Sequence, residues 1–294
     1  MPEIGYPIDF EKLGIQPADV TAVDILHHKP GHLVCRLKVG GSWRVLKWFN
    51  TGEALEPQVY AMLSRYGIPT LPVHACTGQA LLLEDLEHSR EWRLANQSDM
   101  RHARTGIALA AWYRSLHAAG YMALSRGIDI PVKLHPWVEA MTEDDLVEAG
   151  IRLAIDNLPG WQAAVGKLEL LKARVRHMRQ TFNYEDFGCE NLALSRGRAA
   201  PLRAVVFDYD CFTLGMAYSD IRNVLYSLEG DARQAFCEAY GGFNETERLL
   251  DIPLATFYGL MVAAQREWVP GWARPLLEDV KSGRVGCAIA DALG

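Results

Sequence analysis

The sequence lacks any C-x-x-C pair among its six cysteines, Cys35, Cys76, Cys189, Cys211, Cys237 and Cys287. Their dispersal argues against a zinc ribbon and against a disulfide scaffold, and predicts reduced thiols. No apolar run reaches the roughly 20 residues that span a bilayer. Met1 to Glu11 shows no basic stretch leading into an apolar one, so a cytoplasmic protein with no membrane partner is expected. Positive charge is in deficit too: the formal net charge is -6, which disfavours a nucleic-acid partner. No G-x-x-x-x-G-K, H-E-x-x-H or G-x-S-x-G appears, which removes P-loop ATPases, zinc proteases and serine hydrolases. Repeats and low-complexity segments are absent as well.

What remains is the composition of a folded globular protein: 294 residues, 49% hydrophobic and 22% charged. At about 150 residues per domain this length suits two compact units, or one unit with two lobes. From Leu33 to Leu83 the chain reads as strands with one helix; beyond about Asp99 it reads mainly as helices. Leu33–Val39 and Trp43–Phe49 flank Gly40-Gly41, a pair suited to positive φ, and predict a hairpin. A helix follows with Val59, Met62 and Leu63 on one face, stopped by Gly67 and Pro69. Leu81–Leu83 suits a buried strand ending at Glu84-Asp85-Leu86, where the first lobe closes. Ile107 to His117 has helical spacing and is expected to end at Gly120, and Leu168, Leu171, Val175 and Met178 mark another helical stripe. Leu192–Leu194 and Ala204–Phe207 then predict a short hairpin within helical surroundings, joined by the turn-rich Ser195–Pro201 segment.

That hairpin is flanked by Asp186, Asn191 and Asp208. Phosphoryl transfer needs a carboxylate to orient or deprotonate the attacking hydroxyl, and oxygen ligands to hold Mg²⁺ against a triphosphate. The run Asn183-Tyr-Glu-Asp186-Phe-Gly-Cys-Glu-Asn191 contains the kinase spacing D-x-x-x-x-N, and Asp208 follows a strand as a metal-binding Asp does.

With these residues the chain resembles the aminoglycoside phosphotransferase and choline kinase family, small-molecule relatives of protein kinases. Asp208-Tyr-Asp210, Gly215 and Asp220 reproduce that family's offsets. Val45-Leu46-Lys47-Trp48 is similar to its lysine strand, Leu83–Leu86 to its interlobe linker, and Leu116-His117 to a helix ending in Leu-His. The resemblance covers most of the chain and implies an α+β, bilobal protein-kinase-like fold. A small β-rich N-lobe would span residues 1–87, and a larger, mainly helical C-lobe residues 88–294.

It further implies an ATP- and Mg²⁺-dependent phosphotransferase acting on a small-molecule hydroxyl. Asp186 would be the catalytic base, with Asn191 and Asp208 holding Mg²⁺. Lys47 would contact the ATP phosphates with Glu56 as its ion-pair partner, Glu53 being the competitor. Gly31 would sit in the nucleotide-covering loop, and Glu84, Asp85 and Leu86 would border the adenine. Asp220 would brace the catalytic loop, with Asp210 beside the metal. The chain departs from the family at Tyr184-Glu185, where His-Gly is usual, and Tyr184 is read as taking the bracing role of the histidine. His117 is read as a packed residue, His27-His28 as surface, and Glu143-Asp144-Asp145 as a solvated helix start.

The acceptor site is expected around 134–148 and 257–272, where Glu143 and Asp144 are candidates to bind an amine and Trp137, Trp268 and Trp272 to enclose a ligand. An aminated sugar, a plain sugar, a choline-like cation or an amino alcohol all fit. Two alternatives stay open: a pseudokinase that binds nucleotide without chemistry, favoured by Tyr184-Glu185, and a protein kinase, disfavoured by D-x-D in place of D-F-G and by the lack of A-P-E.

Overall fold

The computed structural model describes residues 8–29, 31–51, 54–128, 130, 132, 136–197 and 201–294. Five strands open the chain: β1 Val20–Lys29, β2 His32–Val39, β3 Ser42–Phe49, β4 Val73–Cys76 and β5 Ala80–Glu84. They form one antiparallel sheet in the order β1-β2-β3-β5-β4. The expected hairpin is β2–β3. Val39 pairs with Ser42 across Gly40 and Gly41, whose φ values of 55° and 82° give the turn the twist its strands need.

Alternation along the strands sorts the side chains. Leu33, Cys35, Leu37, Leu46, Trp48 and Leu82 bury one face of the sheet under Phe10 and Leu13. Phe49, Leu81 and Leu83 lie on the opposite face, against helix α1 (Leu55–Arg65). Lys47, one residue from Leu46 and Trp48, therefore points to the α1 side.

Pro57 stands in the first turn of α1, where a missing N–H costs no hydrogen bond, and Glu56 precedes it within that turn. Strand β1 carried no sequence signal. It is the sheet's edge, and from Asp24 to Lys29 all its side chains are exposed, His27 and His28 among them.

After β5 and β6 (Trp92–Leu94) the chain is largely helical. Helix α2 (Ala103–Ser125) packs Leu109, Trp112, Tyr113 and Leu116 into the largest core cluster. It runs two turns past His117, so Gly120 is not its end. Gly120 is instead a point of close approach: a Cβ there would lie 2.2 Å from the backbone N of Phe182. Phe182 belongs to β7 (Thr181–Asn183). A second core joins α3 (Pro136–Ala140), α4 (Glu143–Arg152), α5 (Pro159–His177), α8 (Glu245–Ala264), α9 (Arg274–Lys281) and α10 (Arg284–Leu293).

Between α5 and α6 (Ala217–Ser227) lie short strands. They are β7, β8 (Leu192–Ser195), β9 (Ala204–Val206) and β10 (Thr213–Gly215), with β8–β9 the expected hairpin and β10 paired with β7. Helix α7 (Gly230–Tyr240) closes on α2, where Gly106 lets the two backbones touch. Residues 198–200 of the β8–β9 turn lie outside the described residues.

Candidate active site

The segment that carries Asp186 and Asn191 runs from β7 to β8 and is held from below by Asp220 in the first turn of α6. The Asp220 carboxylate is fully buried. It accepts the Tyr184 N–H at 3.0 and 2.9 Å, the Glu185 N–H at 2.8 Å, and contacts His117 Nε2 at 3.1 Å. These bonds bend the chain at Glu185, which adopts φ 66°, a left-handed conformation uncommon for a residue with a side chain. Tyr184 is also fully buried, and its O–H donates to the Phe207 carbonyl at 2.5 Å. The tyrosine thus ties the loop to the residue just before Asp208.

Asp186 and Asn191 face each other across the loop: Asn191 Nδ2 donates to Asp186 Oδ2 at 3.0 Å and to its carbonyl at 3.1 Å. The Phe207 N–H donates to the Asn191 carbonyl at 3.0 Å, so Asn191 and Asp208 occupy the same end of the β8–β9 hairpin. Burial, and next the neighbouring Asp208 charge, raise the Asp186 pKa, which makes it a stronger proton acceptor than an ordinary aspartate.

Opposite the loop, Lys47 is 5% exposed and Glu56 1%. Lys47 Nζ pairs with Glu56 Oε2, with Asp208 Oδ1 at 2.7 Å and with Asp210 Oδ1 at 3.8 Å. Burial pulls the Lys47 pKa down, but the three carboxylates outweigh it and leave it raised. Burial pushes Glu56 up to about 7 against the pull of Lys47. Glu56 Oε1 also accepts the Tyr209 N–H at 3.2 Å, which couples α1 to the turn carrying Asp208. Glu53, the competing partner, lies outside the described residues.

Asp208 has φ 66°, a value that Asp and Asn tolerate better than other residues with a side chain. Carboxylate oxygens of Glu56, Asp208 and Asp210 lie within 4.8 Å of one another. This all-oxygen cluster faces one lysine, so its donor chemistry fits a hard divalent cation such as Mg²⁺.

Gly31 (φ 82°) forms the β1–β2 turn. His32 beside it is buried and stacks on Phe49 with ring centroids 5.3 Å apart, and its two ring nitrogens have no hydrogen-bond partner among the described residues. In the linker after β5, side chains are committed to structure. Asp85 is buried against Arg36 Nε at 2.9 Å and His88 Nδ1 at 2.5 Å, and Glu84 bonds His74 at 2.9 Å. Leu86 offers its carbonyl to Arg196.

A cavity of about 940 Å³ opens beside this loop segment, lined by Glu185, Cys211 and Arg222 and by aromatic residues Trp137, Tyr226, Tyr258 and Trp272. Trp137 and Trp272 thus lie where an acceptor pocket was expected. The structure does not bring Glu143, Asp144 or Trp268 to that cavity. Glu143 and Asp144 are exposed in the first turn of α4, whose start is fixed by a reciprocal pair of bonds between Thr142 and Asp145. Trp268 is 73% exposed beyond the end of α8. Tyr258 lies within the expected 257–272 segment, whereas Tyr226 on α6 and Glu185 on the loop after β7 were not singled out as lining residues in sequence, because segments distant along the chain supply the wall.

The sequence matches no protein-family profile, and no curated protein matches it in sequence. Solved structures do match in shape. The GDP complex of wild-type aminoglycoside 2'-phosphotransferase-IIIa superposes with a TM-score of 0.57 at 14% identity, over 91% of this chain and 95% of its own. Choline kinase from Cryptosporidium parvum Iowa II gives 0.58 at 12% identity, over 95% and 94%. Macrolide 2'-phosphotransferase from Brachybacterium faecium gives 0.51 at 14%, over 92% and 90%. Across nearly its whole length, then, the chain has the bilobal, protein-kinase-like fold shared by aminoglycoside phosphotransferases and choline kinase.

Proposed function

We propose that the protein moves the γ-phosphoryl group of ATP to a hydroxyl of a small molecule in a Mg²⁺-dependent reaction. One observation carries the reading. Lys47 from β3, Glu56 from α1 and Asp208 after β9 converge in a single charged cluster, at the end of the hairpin where Asp186 and Asn191 face each other. A purely structural role gives no reason to bury a lysine among carboxylates from two other segments, since such charges are costly to desolvate.

In this reading Lys47 draws negative charge from the phosphates, and Glu56 fixes its position from α1. Asp208 and Asn191 would hold Mg²⁺, with Asp210 alongside, and the ion would supply positive charge to offset that of the phosphates. Asp186 orients the acceptor hydroxyl and takes its proton, and its raised pKa suits that task. Asp220 and Tyr184 keep the loop in register. Residues 1–87 would form the nucleotide-facing lobe, with Gly31 over the phosphates and the 84–86 backbone against the base, and residues 88–294 the lobe that receives the acceptor. The solved structures of similar fold include an aminoglycoside phosphotransferase, a macrolide phosphotransferase, a choline kinase and an ethanolamine kinase, which supports a small-molecule acceptor.

The test is ADP release upon addition of small alcohols, compared between wild type and Asp186→Asn. Loss of the base should lower turnover by about 10²–10⁴-fold while protection by Mg²⁺-ATP remains. Retained turnover in the variant would refute the base assignment. Nucleotide protection without acceptor-dependent ADP release, across amines, sugars and amino alcohols, would favour the pseudokinase reading.

A further inference from the structure

His32 carries hydrogen-bonding groups that the fold leaves unused. The residue is 8% exposed, and neither Nδ1 nor Nε2 has a partner among the described residues. A buried polar group without a partner costs stability, and a phenylalanine of similar shape would avoid that cost. In every other respect the ring sits as an apolar aromatic would. It stacks on Phe49 with centroids 5.3 Å apart and lies 6.2 Å from the His27 ring. Packing therefore accounts for a ring at this position and not for its two nitrogens.

The sheet register places the ring beside the charged cluster. His32 pairs with Phe49 across β2 and β3, and Val34 pairs with Lys47. Alternation sets His32, Phe49 and Lys47 on the face that looks toward α1, while Leu33, Leu46 and Trp48 bury the other. Phe49 links the two polar groups, since Lys47 Nζ lies 5.6 Å from the centroid of the ring on which His32 stacks. Lys47 in turn meets Asp208 and Asp210. Charge follows the same geometry: burial, and next the Lys47 charge, hold the His32 pKa below its ordinary value, against the pull of Asp210 and Asp208. A neutral imidazole keeps one N–H donor.

The turn beside it is short of donors. A glycine-rich loop offers successive backbone N–H groups to phosphates, whereas Lys29-Pro30-Gly31-His32 has a single glycine, and proline has no N–H. Resting on the phosphotransferase reading, we propose that His32 is a nucleotide-binding residue whose ring N–H donates to a phosphate oxygen of Mg²⁺-ATP beside Lys47. The side chain supplies a donor that this turn does not offer from its backbone. Solvent reaches neither nitrogen, so the turn at Gly31 shifts when a phosphate meets the ring. The unmet polar atoms are then a stability cost that the free protein carries for binding.

Full-length wild type, His32→Phe, His32→Asn and His32→Gln are compared by isothermal titration calorimetry with Mg²⁺-ATP and by thermal melts without ligand. His32→Phe keeps the stack on Phe49 and removes the donor. It should bind Mg²⁺-ATP about tenfold or more weakly, the scale of one hydrogen bond to a charged group. Its ligand-free melting temperature should equal or exceed that of wild type. The two amides carry an N–H near the place of Nδ1 or Nε2, and at least one of them should bind within about threefold of wild type. Mg²⁺-ATP affinity of His32→Phe within about twofold of wild type, or above it, would overturn the proposal. So would a ligand-free melting temperature of His32→Phe more than about 2 °C below wild type, which would mark the ring as structural, and so would failure of both amides to recover binding. Wild type that does not bind Mg²⁺-ATP at all would refute the phosphotransferase reading itself, whereas wild-type binding with an unaffected His32→Phe would refute only the role of the histidine.

Discussion

Replacing Asp220 by asparagine should be the most damaging near-isosteric change in the site. Its two oxygens take two backbone N–H groups of the loop and meet His117 Nε2, all in a fully buried setting. Asparagine keeps one acceptor oxygen and turns an NH₂ group toward the remaining donors, so at least one loop N–H becomes a buried orphan. Hydrogen bonds to a charged group contribute about 1.5–3 kcal/mol each, and an orphaned donor adds about 1–3 kcal/mol of penalty. Together these give a loss of about 3–5 kcal/mol. For a chain of this size that corresponds to a fall in melting temperature of roughly 5–15 °C.

Urea unfolding followed by circular dichroism, alongside a thermal melt, reads the effect directly. Asp231→Asn on the exposed side of α7 is the control and should stay within about 0.5 kcal/mol of wild type. Turnover should fall with stability, because the same bonds hold Glu185 at φ 66° and so aim Asp186. A melting temperature within about 2 °C of wild type would refute the bracing argument.

Gly120→Ala should cost about 3 kcal/mol or more by overpacking, although alanine is the better helix former, because the added carbon would meet Phe182 N at 2.2 Å; a melt that is unchanged or higher would contradict the close approach of α2 and β7. Lys47→Met should abolish Mg²⁺-ATP protection and destabilise the protein by about 3–5 kcal/mol, as expected when one partner of a buried charge cluster is removed, and equilibrium unfolding with and without nucleotide checks both parts. Glu56 and Glu185 have folded-state pKa values raised to about 7 and about 8. The folded chain then holds protons that the unfolded chain releases above about pH 4.5, so their contribution to stability falls as pH rises through these values. Denaturation midpoints at pH 5, 6, 7 and 8 should show Glu185→Gln flattening the upper part of that decline; an unaltered slope would place the titration elsewhere.

Much of the candidate site's arrangement was legible in sequence because it is local or ordered along the chain. Asp186 and Asn191 sit on one loop, Asp208 directly follows a strand, and Gly40-Gly41 can form only a tight turn between two apolar runs. Signals failed where distant segments decide the outcome. Gly120 reads as a helix stop, yet its missing side chain makes room for β7, a contact invisible along the helix itself. Strand β1 has no alternating burial because it is an exposed edge. The carboxylates Glu143 and Asp144 look like amine ligands by composition, but the capping bonds of Thr142 and Asp145 place them on an exposed helix start. The cavity wall is assembled from the loop after β7 and from α3, α6, α8 and α9, so Glu185, which reads in sequence only as a departure from a family pattern, becomes a wall residue once the fold is known.

The central claim, a metal-nucleotide site built on Asp208, is tested most directly by thermal shift of wild type and Asp208→Asn with saturating Mg²⁺-ATP. Asparagine is the right substitution, since it tolerates the left-handed backbone at this position and removes only the charge. Ligand at about a hundred times its dissociation constant stabilises by roughly 2.7 kcal/mol, so wild type should melt several degrees higher and the variant should shift far less. Equal shifts in both proteins, or no shift in wild type, would contradict the site as described.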